Sequence, residues 1–202
     1  QRKANEREIQ RLAFYDALTQ LPNRRLLLDR LHRLVLSSQR THQHGALLFI
    51  DLDNFKDLND TLGHDMGDQL LTQVAQRLVC SVRECDTVAR FGGDEFVILM
   101  PGLSGNNECK HGLNQVMQSI ASPYQIGNNR VSVTASIGYT LYPSDDADAD
   151  TLMRHADQAM YAAKQGGRNR FHEFDATQER QSRQLREQIL ELREALAQGQ
   201  FV

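Results

Sequence analysis

Cysteine is scarce. Cys80, Cys85 and Cys109 form an odd set with no Cys-x-x-Cys pair, so an evenly paired disulfide framework is excluded and a reducing cytoplasm suits the chain. Positive charge is not in excess either. Lys and Arg number 23 against 26 Asp and Glu, for a formal net charge of −3, which argues against a nucleic-acid binder with its basic stripe. No apolar run approaches the roughly 18–20 residues of a membrane span; the longest are Ala46–Ile50 and Phe96–Met100. The opening Gln1-Arg2-Lys3-Ala4-Asn5-Glu6 is neither a signal peptide nor a transit peptide. It starts on glutamine and not methionine, which reads as a piece cut from a longer parent. A membrane anchor upstream in that parent stays open.

What is present fits one ordinary soluble domain with something added. The 202 residues are 40% hydrophobic and 24% charged, enough for a core of useful size. The stretch that organises the chain is Arg90-Phe91-Gly92-Gly93-Asp94-Glu95-Phe96. Asp86–Phe91 reads as a short strand and Phe96–Met100 as a buried one. Two glycines between such runs predict a hairpin with a type I′ turn, in which Gly92 and Gly93 both take positive φ. Asp94 and Glu95 then stand at its tip, beside a backbone that a ligand can approach closely.

The other elements follow from periodicity and punctuation. Gln1 to about Tyr15 reads as a charged helix with few apolar anchors. Asp16 and Asn23 are turn and cap residues, and Pro22 separates that helix from the next. Arg24 to about Gln43 is amphipathic through Leu27, Leu31, Leu34 and Val35, and Gly45 reads as its breaker. Ala46–Asp51 is an apolar strand ending in an acid, as a central strand delivering a carboxylate would be. Leu70, Leu71, Val74, Leu78 and Val82 make the core stripe of a helix. A modest helix is expected over 108–121, one strand of period two over Val131–Tyr139, and a helix from Leu152 to Ala163 closed by Gly166-Gly167. The aspartates of the 143–150 loop are loosely spaced and read as a solvated lead-in to that helix. A short strand closes the domain after Arg170, and Asp175–Gln198 is a charged helix with Leu185, Ile189, Leu192 and Leu196 at heptad-like spacing.

Asp51-Leu52-Asp53 opens like a calcium loop but fails as one. Position six is Lys56 where a glycine must turn, and position twelve is Leu62 where a glutamate belongs. Asp51 at a strand end and Asp94 and Glu95 at a hairpin tip could instead converge. Like charges ~4 Å apart repel by ~1 kcal/mol in water and ~4 kcal/mol at an effective dielectric of ~20, so such a cluster calls for a cation. Oxygen-only ligation points to Mg²⁺ or Mn²⁺. The plainer alternative pairs each acid with Arg90 or Lys56 at the surface.

Gly92-Gly93-Asp94-Glu95-Phe96 resembles the signature of the GGDEF domain, the diguanylate cyclase family. Further blocks occur in the family's order: Asp16-Ala17-Leu18-Thr19-Gln20-Leu21-Pro22-Asn23-Arg24, Asp51 to Asp60, Gly63 to Leu71, and Tyr161 to Asn169. The resemblance implies an α/β (α+β) fold: a central mixed, mainly antiparallel sheet of about five strands flanked by helices, palm-like as in nucleotidyl cyclases, with extension helices at both ends. It implies condensation of two GTP into cyclic di-GMP with release of pyrophosphate.

Residue by residue, the resemblance makes Asp51, Asp94 and the Leu52 carbonyl metal ligands. Glu95 binds a second ion or accepts the proton of a 3′-hydroxyl. Asn59 and Asp68 match guanine readers; an amide and a carboxylate can tell that base from adenine. His64 reads equally as a nucleotide contact and as a helix-capping or core residue. Lys56 neutralises phosphate charge, with the backbone N–H groups of Phe55 and Lys56 beside it. Lys164 and Arg168 match holders of the outer phosphates, although a helix C-terminus favours cations by itself. Arg83 and Asp86 match the product-inhibition site and also read as a local i,i+3 ion pair. The family's additional arginine has no counterpart between Phe96 and Asn129 except Lys110 and His111.

Three segments result: 1–15, a signalling or linker helix; 16–174, the GGDEF domain; and 175–202, a linker helix leading into a second domain. The run Leu192 to Val202 resembles the opening of an EAL phosphodiesterase domain, so the parent is expected to be a GGDEF–EAL tandem. One domain with one GTP cannot close a symmetric cyclic dinucleotide, so a two-fold homodimer is implied. The competing expectation is a catalytically silent GTP-binding module that controls an attached EAL phosphodiesterase.

Overall fold

Asn23 sets the first helix. Its side chain accepts hydrogen bonds from the N–H groups of Arg25 and Leu26, filling donors that a helix start leaves unpaired. This helix, α1 (Arg24–Thr41), buries Leu27, Leu31 and Val35. His42, at φ 55°, closes it with an N–H to Ser38 O bond. The computed structural model describes residues 12–175. The expected helix before residue 12, the long helix after Asp175 and the EAL-like end therefore lie outside the described residues.

Gly45 is not the breaker of α1. It sits inside strand β1 (His44–Leu52), where the Tyr142 ring fills the space a Cβ would need. After β1 come α2 (Phe55–Leu62), α3 (His64–Ser81), β2 (Thr87–Gly92), β3 (Glu95–Leu103) and α4 (Asn106–Ala121). The hairpin strands β4 (Tyr124–Ile126) and β5 (Asn129–Val131) precede β6 (Ala135–Tyr142), α5 (Ala149–Gln165) and β7 (Arg170–Glu173).

The main sheet has five strands in the order β2-β3-β1-β6-β7. All neighbours are antiparallel except β6 and β7, which are parallel. This is the mixed, mainly antiparallel, helix-flanked architecture expected. β1 is covered on both faces, which is why it reads as a continuous apolar run. Leu48, Ile50 and Leu52 join the core with α3 and α4; Leu47 and Phe49 join the other with α1 and α5. No helix of the described residues is long and apolar enough to cross a membrane.

Two local expectations are corrected. The single strand over Val131–Tyr139 divides into β5 and β6, because Thr134 leaves the ladder to bond Asp53 through both its carbonyl and its hydroxyl. The hairpin tip is also shifted by one residue. Gly92 pairs with Glu95, so Gly93 and Asp94 form the tip, and of the two glycines only Gly93 has positive φ (49°). A register shift between Arg90 and Gly92 absorbs the extra residue. The acidic loop leads into α5 as expected, with Asp148 capping it through Thr151 N–H, but Asp145 is not solvated: it accepts from Thr140 and meets His155.

Candidate functional site

The exit of β1 delivers Asp51 to the face that carries α5, in alternation with Phe49 and Leu47. Its Cα partner on β3 is Glu95. The two carboxylates therefore stand opposite one another on one face, an arrangement that destabilises a ladder when both are charged. Lys164, in the last turn of α5, places Nζ 2.8 Å from Asp51 Oδ1. Burial pushes the Asp51 carboxyl above its ordinary range; Lys164 opposes this, and the charges of Asp94 and Asp53 add to it. Burial also raises Glu95, and Asp51, Asp157 and Asp94 raise it further.

The hairpin tip is fastened from two sides. The Asp94 carbonyl accepts the Leu52 N–H at 3.4 Å, stitching the turn to the end of β1. Arg90 donates from Nε and Nη2 to Gly93 O at 3.0 and 2.8 Å, and from Nη1 to Asp16 Oδ1 at 3.0 Å. Burial would raise the Asp16 carboxyl, yet the bonds from Thr19 and Arg90 hold it below the usual range. Arg90 is thus committed to the turn, and the surface pairing of Arg90 with the tip acids does not occur.

The donor chemistry suits a hard divalent cation: oxygen only, and carboxylates whose charge one lysine offsets. Among the described residues, no three His, Cys, Asp or Glu side chains converge enough to cage an ion unaided. Asp51 is turned to Lys164, so an ion there would need further oxygens to complete its shell.

On the other side of the strand end, α2 begins after Asn54, which takes φ 58°. Phe55 is buried, and Lys56 is exposed on the first turn, where backbone N–H groups lack helical acceptors. Asn59 lies one turn on, and its Oδ1 is buried without a hydrogen-bond partner among the described residues. That oxygen occupies the place where a Cβ on Gly67 of α3 would be. Asp68 is exposed beside Gly67, and His64 is exposed at the start of α3. The structure thus brings Asp51, Asp94, Glu95 and Lys164 together and sets Asn59 against the helix bearing Asp68. Arg168 lies in the turn after α5 at φ 60°.

Arg83 and Asp86 are elsewhere, beyond the far end of β2, about 20 Å away along a six-residue strand. Arg83 bonds Asp86 at 2.9 Å, Glu108 at 2.8 Å and Pro101 O at 3.1 Å. Glu108 and Asp157 carry no local sequence signal, whereas Gly67 lies within the Gly63–Leu71 block and Asp53 stands two residues from Asp51, on the same side of the chain.

The family described as "Diguanylate cyclase, GGDEF domain" matches residues 13–170. The bifunctional diguanylate cyclase/cyclic di-GMP phosphodiesterase MucR of Pseudomonas aeruginosa is 42% identical over 196 residues, 97% of this chain and 28% of that protein. The cyclic di-GMP phosphodiesterase NbdA of the same organism is 36% identical over 96% of this chain and 24% of its own length. The chain thus spans about a quarter of these curated relatives. Among solved structures, the GGDEF domain of TpbB from Pseudomonas aeruginosa superposes with a TM-score of 0.80 at 35% identity, covering 84% of this chain and 99% of that one. The coiled coil and GGDEF domain of DgcB from Caulobacter crescentus, in complex with c-di-GMP, gives 0.77 at 28% identity, covering 85% and 91%.

Proposed function

The chain belongs to the diguanylate cyclase, GGDEF domain, family, and from that membership we propose that it condenses two GTP into cyclic di-GMP, releasing two pyrophosphates. The observation that carries the reading is the opposition of Asp51 and Glu95 across the ladder, with Asp94 at the adjoining tip and Lys164 as counter-charge. Opposed acids at a half-buried strand end fit a site that a cation completes.

Each 3′-hydroxyl attacks the α-phosphorus of the other nucleotide; two P–O bonds form and two α–β anhydride bonds break. Glu95, the acid facing Asp51 across the ladder, with its carboxyl raised above the ordinary range by burial, takes the hydroxyl proton. Asp51, Asp94 and the Leu52 carbonyl would hold Mg²⁺ or Mn²⁺, which would supply charge neutralisation at the triphosphate. Lys56 and Lys164 steady the phosphates, together with Arg168 and the N–H groups of Phe55 and Lys56. Asn59 and Asp68 read guanine, with His64 beside them. The orphaned oxygen of Asn59 supports a ligand there. Closure of the ring calls for a second copy, hence a two-fold homodimer, and Arg83 with Asp86 forms a separate product site.

The bifunctionality of MucR supports a GGDEF–EAL tandem parent, with residues 1–15 as a linker and 175–202 leading into the second domain. The likeness to NbdA, a phosphodiesterase by name, keeps a second reading: a GTP-binding module that regulates such a neighbour. Incubation with GTP and Mg²⁺, followed by nucleotide chromatography in a verified dimer, separates them. Cyclic di-GMP supports the cyclase. Bound GTP without product supports the regulator.

A further inference from the structure

Asp53 is an acid that the proposed chemistry leaves unused. It follows β1 and is 6% exposed. Its Oδ1 accepts from Ser136 Oγ at 2.6 Å, and its Oδ2 from Thr134 Oγ1 at 2.7 Å and the Asn169 N–H at 3.0 Å. Its own N–H donates to Thr134 O at 2.8 Å. An ionised carboxylate only accepts, at about four lone-pair positions, and most of that capacity is filled.

The bond to Asn169 reaches furthest in consequence. Gly167, Arg168 and Asn169 take φ of 113°, 60° and 47°, three successive residues in the left-handed region. Glycine goes there freely, asparagine sometimes and arginine rarely. Such a run persists only where its surroundings impose it. Three bonds stay local, Gly167 N–H to Lys164 O at 3.2 Å, Arg168 N–H to Ala163 O at 3.1 Å and Arg170 Nε to Arg168 O at 3.2 Å, while Asn169 N–H to Asp53 ties the run to the end of β1. Asp53 is two residues past Asp51, so one carboxylate joins the strand end that bears Asp51 to the turn that bears Arg168.

We propose that Asp53 is a positioning residue for the triphosphate end of the nucleotide, acting through the Asn169 N–H to hold Arg168 in register with Asp51. The proposal rests on the GTP reading above. A role confined to core stability would weaken all nucleotides alike. A role for its charge is separated by Asp53→Asn, whose side-chain oxygen can still accept from Asn169 and Thr134 while its amide donates to Ser136.

The test is equilibrium binding of a non-hydrolysable GTP analogue and of GMP, with hydrogen exchange at the Asn169 amide followed in parallel. Asp53→Ala is expected to weaken the analogue about tenfold, the scale of one buried hydrogen bond, with GMP inside about twofold. Asp53→Asn should leave both inside about twofold. Asn169→Val breaks the same tie from the exposed side, since a β-branched residue is strained at φ 47°. It should reproduce the loss for the analogue alone even if Asp53→Ala fails to fold. Equal losses for analogue and GMP overturn the proposal. So does unchanged analogue binding in a folded Asn169→Val that has lost amide protection, and so does Asp53→Asn weakening the analogue as much as Asp53→Ala. A parent chain that binds neither nucleotide removes the GTP reading itself, and this proposal with it.

Discussion

Asp51 and Glu95 are cross-strand partners at the exit of the central strand, two acids facing each other with Lys164 bonded to one of them. Opposed like charges weaken a ladder by up to about 1 kcal/mol. Glu95→Gln should therefore make the metal-free protein more stable, raising its melting temperature by roughly 2–4 °C for a domain of this size. The same substitution should lower turnover by about 10²-fold or more, because the proton acceptor is gone. Calorimetry in EDTA and product chromatography read the two effects. A variant that is both less stable and fully active would contradict the assignment.

The pH dependence of that stabilisation has a definite sign. Glu95 is raised above its ordinary value of 4.5, first by burial and then by Asp51, Asp157 and Asp94. The folded state therefore holds this proton more tightly than the unfolded chain does. As pH rises from 4.5 through the raised folded value, the parent loses stability that the Gln variant keeps. The stability difference between the two should be near zero at lower pH, grow through that window and then level off. Denaturant titrations across pH 3.5–8, without divalent ions, measure it. A difference that shrinks as pH rises would mean that Glu95 has a favourable partner in the folded state.

Much of this was legible in the residues, for reasons that are local. An apolar run ending in Asp51 announced a central strand, and two glycines between apolar runs announced the hairpin. Neighbourhood in space was not legible. Asp53 is bonded to Thr134 and Ser136, 81 and 83 residues away, and the bonds to Thr134 divide a run whose alternation looked like one strand. His42, with φ 55°, ends α1 where Gly45 was the obvious candidate. Glycine there serves the Tyr142 ring instead, a contact no local pattern encodes. The one-residue shift of the hairpin tip has a similar origin, since Arg90 grips Gly93 O while held by Asp16.

Arg83 is engaged by Glu108 as well as by Asp86, so an acid occupies the guanidinium that would receive an anionic product. Backbone and hydroxyl bonds from Ser104, and then Arg83 itself, keep Glu108 ionised below its ordinary range. Glu108→Gln should tighten cyclic di-GMP binding at Arg83 by about two- to fivefold at low salt. The gain should fade as ionic strength shortens the Debye length. Calorimetric titration of the product at two salt concentrations reads both. Unchanged affinity at low salt would show that Glu108 does not compete.

Gly67 offers a change in which stability and recognition should part company. A Cβ there would meet the amide of Asn59 and come within 3.2 Å of Phe55 Cζ. The amide is the mobile end of a side chain, so Gly67→Ala displaces Asn59 rather than the helix. Alanine in a helix interior is better than glycine by about 1 kcal/mol, and moving a buried, unpaired oxygen toward solvent relieves a group that costs about 1–3 kcal/mol to bury. The variant should be at least as stable as the parent. GTP binding should nevertheless fall about tenfold, with the preference for GTP over ATP reduced by a similar factor, because a displaced Asn59 no longer meets the guanine edge. Thermal unfolding and competitive nucleotide binding measure the two sides. If Gly67→Ala kept full discrimination, Asn59 would not be a guanine reader, and the base would have to be recognised by Asp68 or His64 alone.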